Sequence, residues 1–107
     1  MAMGIDAQFK KGVLELSVLH FLAQQDYYGY DLRQQINRFI STTEGAIYPI
    51  LKRLVTAGYC RHYYKESAEG PARKYYSLNE KGRQYYAAMC KEWDGLVEQV
   101  KKLRDLE

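Results

Sequence analysis

Thr43-Glu44-Gly45-Ala46-Ile47-Tyr48-Pro49-Ile50-Leu51-Lys52-Arg53-Leu54-Val55-Thr56-Ala57-Gly58 is the stretch on which the fold turns. The hydroxyl of Thr43 suits an N-cap, and Gly58 suits the residue just past a helix end. Projected at about 100° per residue, Ile47, Ile50, Leu51, Leu54 and Gly58 fall on one side and form a core face. The opposite side carries Thr42, Gly45, Pro49, Lys52, Arg53 and Thr56, with Tyr48 on its flank. Pro49 lies too deep for an ideal helical position, so the opening turns are expected to distort. The outward face is small at its N-terminal end and basic further on. Such a face can lie close against another surface.

Two helices precede this stretch. Between Phe9 and Gln25, Val13, Leu14, Leu16, Val18, Leu19, Phe21 and Leu22 cover most of a helix surface, which predicts a buried central strut. Asp26-Tyr27-Tyr28-Gly29 breaks it, and a short helix follows with Leu32, Ile36, Phe39 and Ile40 on one face. Beyond Gly58, Tyr59–Lys65 and Ala72–Leu78 read as two strands joined through Glu66–Pro71, a β-hairpin. Asn79 then caps a last helix in which Tyr86, Met89, Trp93, Leu96, Val100 and Leu103 step by three and four, an a/d seam longer than one small domain needs. The predicted fold is mainly α with a small β-hairpin. It is a winged helix-turn-helix over residues 1–78 plus a long C-terminal dimerisation helix over 79–107, forming one compact unit.

Composition bounds the function. A chain of 107 residues, 47% hydrophobic and 27% charged, is one ordinary globular domain. No apolar run approaches the roughly 18 residues of a membrane span. Met1–Asp6 shows neither a basic nor an apolar leader segment, and two cysteines, Cys60 and Cys90, fit a reducing compartment, so a cytoplasmic location is expected. The net charge of +3 is unevenly placed. Residues 1–32 hold 2 basic and 4 acidic side chains, residues 33–78 hold 8 and 3, and residues 79–107 hold 6 of each. The positive charge therefore sits in the middle third, where a footprint for a polyanion is sought. No G-x-S-x-G, phosphate-cradling glycine loop or HExxH occurs, and nothing argues for an enzyme.

Four pieces in order then carry a resemblance: Lys11-Gly12-Val13-Leu14-Glu15-Leu16, Tyr28-Gly29-Tyr30-Asp31-Leu32, Glu44 through Leu54, and Gly70-Pro71-Ala72-Arg73-Lys74-Tyr75-Tyr76-Ser77-Leu78-Asn79-Glu80-Lys81-Gly82. Together they resemble the PadR family of bacterial transcriptional regulators over essentially the whole chain. Ala46 and Asn79 depart from it, each standing where threonine is common. The single helix after the wing looks like the family's smaller subgroup. That resemblance implies a homodimer, usually a repressor; some members bind flat aromatic compounds at the dimer interface, and in those a tryptophan matched by Trp93 lines the pocket. It also implies that Tyr48 gives its hydroxyl to a phosphate.

The expected partner is double-stranded DNA with a pseudo-palindromic operator. The DNA-binding candidates are Thr42, Thr43, Gly45, Tyr48 and Lys52 on the third helix and its approach, with Arg73 and Lys74 near the hairpin tip. The alternative is that these cations are solvated surface. Arg53 is expected either to join them or to turn back onto Glu15 or Glu44. Tyr86, Met89, Trp93, Leu96, Val100 and Leu103 are the expected dimer interface.

Trp93 has two readings, a packing anchor, or, with Met89 and Leu96, one wall of a slot for a planar aromatic effector whose charge Asp94 or Glu98 balances. The pairs Tyr63-Tyr64, Tyr75-Tyr76 and Tyr85-Tyr86 read as core and cross-strand packing before nucleobase stacking. His20 and His62 have no metal-binding neighbour at helical spacing, so no metal and no cofactor is expected. The competing function is a winged-helix protein-interaction module that binds no DNA and recruits a partner helix through the seam.

Overall fold

The computed structural model describes residues 5–106; residues 1–4, which belong to the opening stretch read for a leader, Glu107, and the side chains of residues 5–9 and of Glu44 lie outside that description. The elements are α1 (Ile5–Gln24), β1 (Tyr27–Tyr28), α2 (Gly29–Asn37), α3 (Glu44–Thr56), β2 (Cys60–Ser67), β3 (Gly70–Leu78) and α4 (Glu80–Arg104). The protein is mainly helical with one three-stranded antiparallel sheet in the order β1-β3-β2, as a winged helix requires.

α1 is the strut that its apolar surface predicted. Leu14, Val18, Leu19 and Leu22 are buried among Leu32 and Ile36 of α2, Ile47, Ile50, Leu51 and Leu54 of α3, and Cys60, Tyr76 and Leu78 of the sheet. Each of these leucines and isoleucines contributes roughly 1.5–3 kcal/mol through removal from water. That burial orients α3, because its four core residues leave only one face turned outward.

Several local expectations are corrected. The break after α1 is a strand, since Tyr27 and Tyr28 pair with Tyr76 and Tyr75 and the hairpin becomes a three-stranded sheet. No period-2 pattern can be seen in two residues. α2 stops at Asn37, and Phe39 stands 73% exposed instead of continuing its apolar face. The hairpin strands run further than expected, leaving only Ala68 and Glu69 between them.

Thr43 occupies the N-cap of α3, but its hydroxyl makes no cap bond. Pro49 sits inside a continuous helix. The amide it lacks would have bonded the Gly45 carbonyl, and the first turn is tightened by a bond from the Ala46 amide to the Thr43 carbonyl at 3.2 Å. Gly58 takes φ +84° just past the Ala57 cap, a left-handed conformation that a Cβ disfavours. Asn79 caps α4 as predicted, accepting from the Gly82 amide at 2.8 Å.

Candidate nucleic-acid interface

With Ile47, Ile50, Leu51 and Leu54 buried, α3 exposes Gly45, Tyr48, Pro49, Lys52, Thr56 and about half of Arg53. A Cβ at Gly45 would meet Thr43 Oγ1 at 3.8 Å, ordinary van der Waals contact, so the described residues leave room beside this glycine. Tyr48 leans off the flank toward the sheet. A Cβ at Gly29 would stand 3.0 Å from its ring and 3.5 Å from its hydroxyl oxygen, and 3.4 Å from the Tyr76 ring. Gly29 thus makes room for the Tyr48 ring over the start of α2. Thr42, half-buried, donates its backbone amide to Asn37 Oδ1 at 2.8 Å, which fixes the turn between α2 and α3.

Arg53 turns inward. Its guanidinium donates to Glu15 Oε1, and the Tyr85 hydroxyl donates to Glu15 Oε2 at 2.8 Å. That bond to a carboxylate, with burial, raises the Tyr85 pKa above its ordinary value. Tyr85 also stacks on Tyr59 with centroids 4.2 Å apart and planes 3° from parallel. One nearly buried carboxylate thereby joins α1, α3 and α4.

The hairpin presents its cations on aromatic rings. Lys65 faces Arg73 across the strands, and Tyr63 faces Tyr75, which in turn faces Tyr28 of β1. Directly opposed residues share a sheet face. The Arg73 guanidinium lies 4.8 Å from the Tyr28 ring, Lys65 Nζ 5.1 Å from Tyr75, Arg61 5.2 Å from Tyr63, and Lys74 Nζ 5.7 Å from Tyr76. Ring faces orient these cations without cancelling their charge, as a carboxylate would. Tyr63 donates its hydroxyl to Asp26 Oδ2 at 2.6 Å, which raises its pKa and ties the wing to the α1–β1 turn.

This arrangement of a small, exposed helix face beside a cationic wing can be compared with known proteins. Residues 18–88 match the transcriptional regulator PadR-like family. The chain belongs to the PadR-like family of transcriptional regulators. It is similar to a Streptococcus transcriptional regulator of known structure, 35% identical with a TM-score of 0.81 over 92% of this chain and 98% of that one. A PadR-like transcriptional regulator from Bacillus cereus is 34% identical with a TM-score of 0.79, over 94% and 99% of the two chains. Bacillus subtilis PadR, solved in complex with operator DNA, is 26% identical with a TM-score of 0.64, over 71% of this chain and 46% of that one.

α4 of this PadR-like chain divides in two. Tyr86 and Met89 are half-buried against the chain's own core, and the Tyr86 hydroxyl lies in a 2.6 Å hydrogen bond with His20 Nδ1. Burial first, then a hydrogen bond with the Cys90 thiol, pushes Tyr86 up to about 12. From Lys91 onward every described residue is exposed, including Trp93 at 41%, Leu96, Val97, Val100 and Leu103 at 65%. Two open grooves of about 530 Å³ each meet at Trp93. One is shared with Met89 and Leu96, the other with His20, Phe39 and Cys90.

His20 has Gln24 Nε2 hydrogen-bonded to its Nε2 at 2.8 Å one turn on. Among the described residues no group of three or more His, Cys, Asp or Glu is placed to hold a metal ion. No helix among the described residues is long and apolar enough to cross a membrane. Lys10 and Lys11, the two cations of the net-negative first segment, line a groove beside Gly45 and Pro49. Their position was hidden because the fold, and not the sequence order, brings the start of α1 to α3.

Proposed function

We propose that this PadR-like protein is a homodimeric, sequence-specific DNA-binding regulator that acts as a repressor. The observation that carries the reading is the outward face of α3. Its first turns are narrow at Gly45 and Pro49, and Tyr48 and Lys52 flank them with the cationic wing alongside. A face of that width enters a major groove about 12 Å wide, where Lys52 reaches a base edge or a phosphate and Tyr48 a phosphate. Thr42 and Thr43 meet the backbone at the helix approach, while Arg73 and Lys74 follow the adjacent strand. The Bacillus subtilis relative solved with operator DNA supports this partner.

Residues 1–78 are then the reading head and residues 79–107 the dimerisation element. The exposed run Trp93, Leu96, Val100 and Leu103, continuing from Tyr86 and Met89, supports a second copy as its cover. A two-fold axis through paired α4 helices implies a pseudo-palindromic operator with half-sites about one helical turn apart. A planar aromatic effector seated among Trp93, Met89 and Leu96 changes the angle between the helices and hence the spacing of the heads. Such a coupling is typically worth about 1–3 kcal/mol. A panel of planar aromatic compounds that leaves Trp93 fluorescence unchanged removes this element.

Fluorescence anisotropy on the duplex upstream of the protein's own gene and on a scrambled duplex, each at several salt concentrations, tests the whole. A steep salt slope with a preference of roughly 10³ for the upstream duplex is expected. Equal, weak binding to both, unaltered by Lys52→Ala with Arg73→Ala, favours the protein-interaction module.

A further inference from the structure

The two flanks of α3 meet different neighbours. Tyr48, on one flank, leans toward the sheet and its wing. On the other flank a groove of about 420 Å³ separates α3 from the start of α1, with Ala46, Pro49 and Ile50 in its floor and Lys10, Lys11 and Thr42 on its rim. Lys10 Nζ donates to the Ser41 carbonyl at 3.3 Å, and the Thr42 amide is held by Asn37, so this rim has a defined shape. Gly45 and Pro49 belong both to this groove and to the outward face of α3, which makes the two surfaces continuous.

We propose that Lys10 and Lys11 form a second phosphate-contact wall, which takes the DNA strand on the side of α3 away from the sheet. The inference rests on the DNA-binding reading above and completes it. A major groove is bounded by two phosphate strands, so a helix within it has a polyanion on both flanks. The wing supplies cations for one strand only. Lys10 and Lys11 supply them for the other, and the apolar floor accommodates the sugar edge between phosphates.

Two of the four carboxylates in residues 1–32 have partners elsewhere in the protein. Glu15 is held by Arg53 and Tyr85, and Asp26 by Tyr63. The wall touches backbone and not bases. It therefore sets affinity and register without choosing sequence.

The experiment is the salt dependence of binding to the upstream and scrambled duplexes for the full chain, Lys11→Gln, Lys10→Ala with Lys11→Ala, and Lys11→Arg. Lys11 is exposed on a helix, so Lys11→Gln keeps the fold and stands alone if the double variant is destabilised. The double variant is expected to weaken binding about tenfold on both duplexes, leave the preference between them unchanged, and flatten the log–log salt slope by about 1.8. Lys11→Gln flattens it by about half as much, and Lys11→Arg restores it. A parent protein that binds with its salt slope unaltered in Lys11→Gln and in the double variant overturns the wall alone. A loss confined to the upstream duplex overturns it too, since phosphate contacts do not discriminate. A parent that binds neither duplex removes the DNA reading itself, and the wall with it.

Discussion

α3 and the second half of α4 are both helices with an outward face, but they are supported in opposite ways. α3 is anchored by Ile47, Ile50, Leu51 and Leu54, all buried, and its outward face carries no large aliphatic side chain. The second half of α4 has its apolar residues Trp93, Leu96, Val97, Val100 and Leu103 outside, and none of them belongs to the buried cluster. A helix with a buried apolar face and a small polar outer face is complete as part of one chain. A helix whose apolar stripe is in water is incomplete until something covers it. The first is built to meet a polar surface, the second an apolar one.

The contrast can be broken at several points, in decreasing order of effect. Leu96→Asp with Val100→Asp places two charges in the proposed seam. Sedimentation should show a monomer in place of a dimer, and operator affinity should fall by more than about 100-fold as the two heads become independent. An unchanged mass would mean that the stripe is not the self-association surface. Leu51→Ala attacks the other helix from beneath and should cost about 2–5 kcal/mol in urea unfolding, with mass unchanged at the same protein concentration.

Glu15→Gln sharpens the comparison, because Glu15 ties α3 to the first half of α4. It removes the ion pair with Arg53 and weakens the bond from Tyr85. A loss of about 1–2 kcal/mol is expected, tempered by the half-exposed Arg53 side chain. A larger fall in operator affinity than in stability would identify this contact as the link between the two helices.

The smallest effect lies in alkali. Burial pushes the Cys60 thiol from 9.0 to about 11. A pKa raised in the folded state favours folding below the unfolded value and loses that contribution as pH rises toward the folded one. Stability should therefore decline by about 1 kcal/mol between pH 8 and 10, and Cys60→Ala should flatten that decline in urea midpoints taken at each pH.

The core face of α3, the Gly58 stop and the Asn79 cap were legible in the sequence because each depends on spacing or on one residue's local chemistry. β1 was not, since two tyrosines become a strand only when β3 arrives beside them. The end of α2 escaped as well, because Phe39 and Ile40 extend the apolar pattern past the last helical residue. Gly82 gave no sign of its role. A Cβ there would stand 2.2 Å from the Tyr59 carbonyl, a contact made only when α4 docks against the turn between α3 and β2. In the candidate interface, the outward face of α3 and the wing cations were visible from the sequence. Arg53 had two carboxylates within reach, and only the packing of α1 against α3 set Glu15 against it.

The sequence by itself determined the order of elements, the orientation of α3 and the existence of an uncovered stripe on α4. All three follow from hydrophobic periodicity, which acts over a few residues and is written along the chain. Only the tertiary structure decided which charges share a surface. Lys10 belongs to a segment of net negative charge, and yet it lies at the rim of α3, bonded to the Ser41 carbonyl. Coulomb interactions depend on distance in space, and burial of the α1 strut is what converts a separation of more than thirty residues into contact.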